Sequence, residues 1–403
     1  MKIAILTSHV IQYQAPLFRK FAVMPGIDLT VYFCWDFGAK KMFDPEFGCA
    51  IEWDIILTEG YRHLFPKNFS LKPGPSFLGQ INLGIIPALW KGKYDAVIVY
   101  GWNSLTNWLA FATAFLRRTP VLLHGENPMN QESLKSGRKR AVKKIILGML
   151  FRRVSGFLYI GEENRKFYEY YGVPKKKLFF VPYAVENDRY IEVAKTFVGK
   201  KPELKKKLGV LPDHPLVLFV GKLIGKKRPL DLLQAYELLI THYSLPITPS
   251  LLFVGDGELR QTLEAYAQDH GLKNVRFAGF KNQSELPECY AVADVFVLPS
   301  GIGETWGLVV NEAMCFGLPV VVSDIVGCGS DLVHRNENGF IFRLGNIDEL
   351  AECIRKLVES RERVENFGKR SKEIIAHYSH EKDIEGIKEA LDLIFNDIVV
   401  LRE

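Results

Sequence analysis

Along this chain, short runs of β-branched and aromatic residues alternate with stretches whose apolar positions recur at helical spacing. In the first half the runs fall at Ile3–Leu6, Leu29–Phe33, Ala96–Tyr100, Val121–His124 and Phe157–Ile160. In the second half they fall at Val217–Val220, Leu251–Val254, Val275–Ala278, Val295–Leu298 and Val320–Ser323. Near-continuous apolar strands joined by helical crossovers predict parallel sheets covered on both faces. Two such series, each restarting after a break, predict an α/β chain of two doubly wound, Rossmann-like domains. The break lies in the basic, Pro-containing stretch Thr196–Pro215, with the linker at Ala194–Lys201. The expected domains are residues 1–195 and 200–376. After a break at His377–His380, a final helix over about Glu381–Ile394 is expected to pack back on the first domain, so that 377–403 forms a separate piece.

Composition narrows the class. A chain of 403 residues, 48% hydrophobic and 24% charged, is that of a soluble globular protein too long for one ordinary core. Six cysteines lie far apart with no CxxC pair, which argues against a zinc cluster or disulfide framework and for a reducing compartment. The apolar start MKIAILTSHV is too short for a signal-peptide core, and the quasi-apolar segment Trp108–Leu116 is too short to span a bilayer. A cytoplasmic chain is therefore expected. Its net charge of +6 is unevenly spread, with 27 Lys and Arg against 16 Asp and Glu in residues 1–199, and 25 against 30 in the rest. The first half has a bias toward anionic partners.

The stretch GIGETWGLVVNEAMCFGLPVV, residues 301–321, holds two glutamates, Glu304 and Glu312. A strand ends at Pro299, a loop follows, and a helix is expected from Thr305–Gly307 to Phe316, with Gly317 and Pro319 as stop signals. Ligands bind beyond the carboxyl ends of parallel strands, and the amides of Trp306, Gly307 and Leu308 would open a helix there as an anion site. Glu304 before those amides and Glu312 two turns in could reach hydroxyls on opposite sides of a diphosphate. Equally, Glu304 could be a helix cap and Glu312 a satisfied core residue. The context favours the ligand. GKLIGKK places Lys222 and Lys227 just after the first strand of the second domain, where both could neutralise a diphosphate. VGDGELR is a glycine turn without the full GxGxxG.

GKLIGKK, GDGELR, FAGF, ADVFVLPS, GETWGLVVNEAMCFGLPVVVSD and ENGFIFRLGN resemble, in order, the second domain of family-4 type retaining glycosyltransferases. The likeness is dense over residues 215–360 and looser over 1–190, where YIGEENRKFYEYYGVPKKKLFFVPYAVEND is similar to the segment closing the first domain. It implies the GT-B fold with its interdomain cleft, an acceptor-side first domain and a second domain binding a nucleotide-diphosphate sugar. It further implies diphosphate roles for Lys222 and Lys227, a hold on the transferred sugar for Glu304, and a grip on the ribose for Glu312. The donor-binding amides would be those of Trp306, Gly307 and Leu308, and the base would lie near Gly279, Phe280 and Lys281. His124, in PVLLHGEN, matches the family histidine at the reacting centre. Lys222 stands where the family usually has arginine. The first loop, TSHVIQYQAPLF, lacks the family's glycines, so His9, Tyr13 and Gln14 are expected to shape the acceptor side. Tyr183-Ala184 replaces the more usual Asn-Gly.

The donor is expected to be a UDP-sugar, with GDP second, and no other cofactor. No Asp-x-Asp occurs, so no metal is expected. The acceptor would be a glycan or a lipid-linked sugar, in polysaccharide or glycolipid synthesis, and no nucleic acid. Two other readings stand beside this one: a nucleotide-sugar epimerase on the same fold, and a non-catalytic scaffold. A Rossmann dehydrogenase is disfavoured because no full GxGxxG follows Ile3–Leu6. Finally, LKSGRKRAVKKIILGMLFRR, residues 134–153, bunches Arg138, Lys139, Arg140, Lys143 and Lys144 ahead of an apolar run. Such a helix suits peripheral docking on an anionic membrane surface, or else it presents a solvated basic face.

Overall fold

The computed structural model describes residues 1–400, and the side chains of residues 1–395. In chain order the strands begin with β1 (Lys2–Thr7), β2 (Asp28–Phe33), β3 (Met42–Asp44), β4 (Cys49–Ile51) and β5 (Arg62–Leu64). They continue with β6 (Ala96–Tyr100), β7 (Val121–His124), β8 (Gly156–Tyr159), β9 (Leu178–Phe180) and β10 (Leu216–Val220). The last are β11 (Ser250–Val254), β12 (Val275–Phe277), β13 (Val295–Leu298), β14 (Val320–Ser323) and β15 (Gly339–Phe342). Two compact units form. Unit 1 takes residues 1–42, 55–183 and 380 onward, and unit 2 takes residues 43–54 and 184–379.

Unit 1 carries a seven-stranded sheet in the order β5-β2-β1-β6-β7-β8-β9. Its pairs are parallel, with Ile3 opposite Leu29 on one side and Ala96 on the other. Every residue of β1 from Ile3 to Leu6 is buried, so both sheet faces are covered. That is why these strands read as unbroken apolar runs rather than alternating ones. Unit 2 carries six strands in the order β12-β11-β10-β13-β14-β15, again parallel. Its core interleaves Val217, Phe219, Leu251 and Phe253 with Leu232, Leu233 and Tyr236 of the helix Pro229–His242 and Leu350 and Ile354 of the helix Ile347–Val358. Each fully buried side chain of this kind contributes about 1.5–3 kcal/mol.

The described boundaries differ from the expected ones. Unit 1 ends at Tyr183, not 195, because the helix Asn187–Thr196 is tied into unit 2. Asn187 Nδ2 donates to the carbonyls of Ile375 and Tyr378, each at 3.1 Å, and buried Tyr190 reaches Glu312. The expected linker at Ala194–Lys201 is instead the end of this helix, and a further helix, Lys201–Lys207, occupies the basic stretch. The last helix, His380–Val400, belongs to unit 1 and packs on β8, β9 and the helix Gln14–Ala22. Gly386 permits that approach, since a Cβ there would sit 2.0 Å from the Phe180 carbonyl oxygen. All six cysteines are free thiols. Among the described residues, no helix is long and apolar enough to cross a membrane.

Candidate functional site

In unit 2 the chain order of the strands reverses between β10 and β13, leaving a crevice beyond their carboxyl ends. The loops bordering it carry the residues singled out from the sequence. After β10 come Lys222 and Lys227, after β12 Gly279 and Phe280, and after β13 Glu304 and the helix Leu308–Cys315. That helix starts one to three residues later than the sequence suggests. Gly307 just before it has φ +102°, and a Cβ there would lie 2.9 Å from Leu298 Cδ2. Glycine is thus required both for the turn and for the loop's seat on the strand. The Trp306 side chain is buried, its Nε1 donates to Asn311 Oδ1 at 2.9 Å, and its carbonyl accepts from the Cys328 amide at 3.0 Å. The Gly255 amide donates to the Gly279 carbonyl at 2.8 Å, which joins the loops after β11 and β12.

The two glutamates have opposite electrostatics. Glu304 is buried and forms an ion pair with Lys227. Burial pushes its carboxyl up, but the Lys227 charge and hydrogen bond, aided by Lys226, hold it below the usual carboxylate range. Glu312 is equally buried but faces no lysine. Burial raises its carboxyl above the usual range, against the pull of two phenols. Tyr190 Oη donates to its Oε1 at 3.0 Å and Tyr290 Oη to its Oε2 at 2.6 Å. These phenols come from the helices Asn187–Thr196 and Leu286–Val292, and no local sequence signal links them to Glu312.

Lys222 is also engaged. Its Nζ bonds Asp44 Oδ2 at 3.0 Å, Asp44 Oδ1 at 3.3 Å and Glu46 Oε2 at 2.6 Å, and lies over the Phe47 ring at 4.8 Å. These partners come from the β3–β4 hairpin, which packs with unit 2 although unit 1 residues flank it in sequence. The hairpin also meets Phe280, with the Phe47 ring 5.2 Å away edge-on and the Trp53 ring at 6.2 Å. Sequence reasoning missed it. Its local signal is the turn DPEFG, with an acidic pair and an aromatic.

In unit 1, His124 ends β7 as expected, but it is packed away. It is 2% exposed, stacked on Tyr100 at 4.3 Å, with Tyr183 at 5.6 Å. Burial lowers the imidazole to about 3, and Nδ1 has no hydrogen-bond partner among the described residues. Glu126, two residues on, accepts a bond from Tyr183 Oη. Of the first-loop residues, Gln14 is buried against Thr7 Oγ1 at 3.1 Å and His9 packs near Trp35 and Phe37, which leaves Tyr13 edge-on to Tyr183 at 5.2 Å. Among the described residues, no three His, Cys, Asp or Glu side chains are grouped to hold a metal ion.

Residues 200–374 match the family described as glycosyl transferases group 1. A sulfoquinovosyl transferase of Arabidopsis thaliana is 36% identical over 170 residues, 41% of this chain and 31% of that protein. The UDP-Gal:alpha-D-GlcNAc-diphosphoundecaprenol alpha-1,3-galactosyltransferase of Escherichia coli is 28% identical over 284 residues, 69% of this chain and 70% of its own. The crystal structure of Anabaena HepE in complex with UDP and glucose superposes with a TM-score of 0.72 at 19% identity, covering 97% of this chain and 99% of that one. The two doubly wound units are those of the GT-B fold.

Proposed function

From the match of residues 200–374 to the family of glycosyl transferases group 1, we propose that this chain is a retaining glycosyltransferase. It moves a hexose from a nucleotide-diphosphate sugar to a glycan or lipid-linked acceptor in polysaccharide or glycolipid synthesis. The observation that carries the reading is the switch in strand order between β10 and β13, where Lys227 from the loop after β10 pairs with Glu304 from the loop after β13, ahead of the helix Leu308–Cys315. Negative charge builds on the leaving diphosphate during transfer, and preorganised cations and amides at that charge are the main catalytic term. Lys222 and Lys227 supply the cations, and the Trp306–Leu308 amides supply the dipoles, so the reaction needs no metal. Glu304 holds hydroxyls of the transferred sugar and Glu312 the ribose, while Gly279 and Phe280 lie at the base. His124 serves the sugar as a neutral hydrogen-bonding group.

UDP is the proposed nucleotide and GDP the second choice; the E. coli relative is named for UDP-Gal and the Anabaena structure holds UDP. A thermal-shift panel of UDP, GDP and ADP tests the donor assignment. At a ligand concentration a hundredfold above Kd, the bound state gains about 2.7 kcal/mol. Stabilisation by UDP is expected, and none by any nucleotide removes the donor reading.

One feature of unit 1 favours the lipid-linked acceptor. In the helix Gly137–Phe151, Leu147, Leu150 and Phe151 face the core. Val142, Ile145, Ile146 and Met149 form an exposed stripe at i, i+3, i+4, i+7 spacing, from 44% to 67% exposed. A cavity of about 490 Å³ runs along it, lined by Trp102, Trp108, Val142 and Ile146 with Arg138 and Lys139. An apolar stripe bordered by arginine and lysine is the pattern of a helix that lies in an anionic lipid surface. The E. coli relative's name carries a diphosphoundecaprenol acceptor, which fits that placement.

A further inference from the structure

Two of the residues that the donor reading assigns to the diphosphate and the base, Lys222 and Phe280, are already occupied by another part of the same chain. Lysine has three N–H donors and no acceptor. At Lys222 the oxygens of Asp44 and Glu46 provide three contacts, at 2.6, 3.0 and 3.3 Å, so a phosphate oxygen would compete with two carboxylates for its donors. The carboxylates are fixed for this task. Asp44 Oδ1 accepts from the amides of Glu46 at 2.8 Å and Phe47 at 3.1 Å, which closes the turn and aims both acids the same way. Asp44 is 7% exposed, so its charge is held out of water and owes its balance to Lys222.

The far end of the hairpin is fastened separately. Asn282 Nδ2 donates to the Glu52 carbonyl at 2.7 Å, the Ser284 amide donates to Asp54 Oδ2 at 3.1 Å, and Ser284 Oγ also donates to Asp54. Between these anchors Phe47 and Trp53 cover Phe280. The segment thus runs from the loop after β10 to the loop after β12, across the ends of the strands that the donor would face.

We propose that residues 43–54 form a strap that closes the donor site of unit 2, with Asp44 and Glu46 standing on Lys222 in place of the donor's diphosphate. This rests on the donor reading given above. A nucleoside diphosphate cannot share Lys222 with two carboxylates, because its phosphate oxygens would lie beside like charges at contact distance. Binding therefore requires the acidic turn to let go of Lys222, and the free energy of that release is subtracted from donor affinity. The strap makes occupancy depend on a phosphate-rich ligand strong enough to displace it.

The test is calorimetric titration of the full chain and its variants with UDP, GDP and uridine. Asp44→Asn keeps an oxygen for the turn amides while removing the charge. Glu46→Gln changes a side chain that is 60% exposed and bonded to Lys222. The double variant is expected to bind the nucleoside diphosphate roughly three- to tenfold tighter, on the scale of weak and partly buried ion pairs. Uridine, which has no phosphate to place on Lys222, should gain nothing. Glu46→Gln alone should give a smaller gain in the same direction, and it serves where the double variant does not fold. Unchanged or weaker diphosphate binding in the variants, with binding intact in the parent, overturns the strap and leaves the donor reading standing. An equal gain for uridine also overturns it, since the effect would then not lie at the diphosphate. No nucleotide binding by any form overturns both.

Discussion

Two carboxyls of one type, eight positions apart, are driven in opposite directions by what they touch. Glu304 is paired with Lys227, whereas Glu312 is held by two phenols, with Arg189 as the cation that acts on it. Their substitutions should separate accordingly. If Glu304 holds the transferred sugar as proposed, Glu304→Gln should lower kcat about a hundredfold while nucleotide affinity stays within a few-fold. Glu312→Ala should weaken donor binding, and it also removes the partner of the buried Tyr290 hydroxyl, at a cost of about 1–3 kcal/mol in stability, whereas Tyr190 keeps Gln283 Oε1 at 2.9 Å. Steady-state kinetics with a melt of each variant checks both. Small, equal effects would return the two glutamates to structural duty. His124 gives a pH prediction. With its imidazole lowered to about 3, it stays neutral over the working range. His124→Gln should therefore lower the pH–rate profile between pH 5 and 8 without changing its shape. A limb near the ordinary histidine value that vanishes in the variant would contradict this.

The elements that were legible share one property, burial on both faces. Ala96–Tyr100, Val121–His124, Val295–Leu298 and Val320–Ser323 have the bounds read from sequence, because each is an apolar run ended by polar or glycine signals. Besides the β3–β4 hairpin, two of the elements that were missed lie at the edges of the first sheet. Arg62–Leu64 and Leu178–Phe180 are three-residue strands with exposed or half-buried side chains, and at that length neither RHL nor the brief run LFF carries a period that marks a strand. The same limit applies at the site. Lys222, Lys227 and Glu304 were legible because strand ends place them, whereas Asp44 and Tyr190 reach their partners from 178 and 122 residues away. At the start of the helix His380–Val400 lies a carboxyl that no pattern revealed. Asp383 is 2% exposed, Oδ1 has no hydrogen-bond partner among the described residues, and Oδ2 lies 3.1 Å from His380 Nδ1. Burial lifts it to about 6, against the pull of His380 and Lys20 and with a push from Glu381. A raised carboxyl favours the protonated folded state, so its contribution is full below about pH 4 and lost as pH rises through about 6. The loss approaches 3 kcal/mol. Melts between pH 4.5 and 7.5 should show a downward trend in the parent that is flatter in Asp383→Asn. Parallel curves would remove Asp383 as the cause.

Across the whole molecule, charge and exposed apolar surface are concentrated on the same part of the chain. The first 199 residues hold 27 basic and 16 acidic side chains, and they include the stripe Val142, Ile145, Ile146 and Met149. The basic count overstates what lipid would meet. Lys135 and Lys143 both bond Glu132 Oε2 at 2.8 Å, and the burial that would lift this carboxyl is overcome by them and by Tyr171, which hold it at about 2. Those lysines brace the fold. Arg140 and Lys144 lie beside the Tyr170 ring, which leaves Arg138 and Lys139 at the edge of the stripe. Docking should then draw on apolar insertion as much as on charge. Burying an aliphatic side chain is worth about 1.5–3 kcal/mol and each basic residue near the surface about 1 kcal/mol. Ile145→Glu with Met149→Glu should thus cut co-sedimentation with anionic vesicles at least tenfold at low salt, and Arg138→Gln with Lys139→Gln should cut it less. Salt should weaken binding of the parent only in part, because screening acts on the charges and leaves the apolar contacts in place. Equal retention of parent and Glu variants on vesicles, or a parent that stays in the supernatant at low salt, would mean that the stripe faces no membrane and that the acceptor is met in solution.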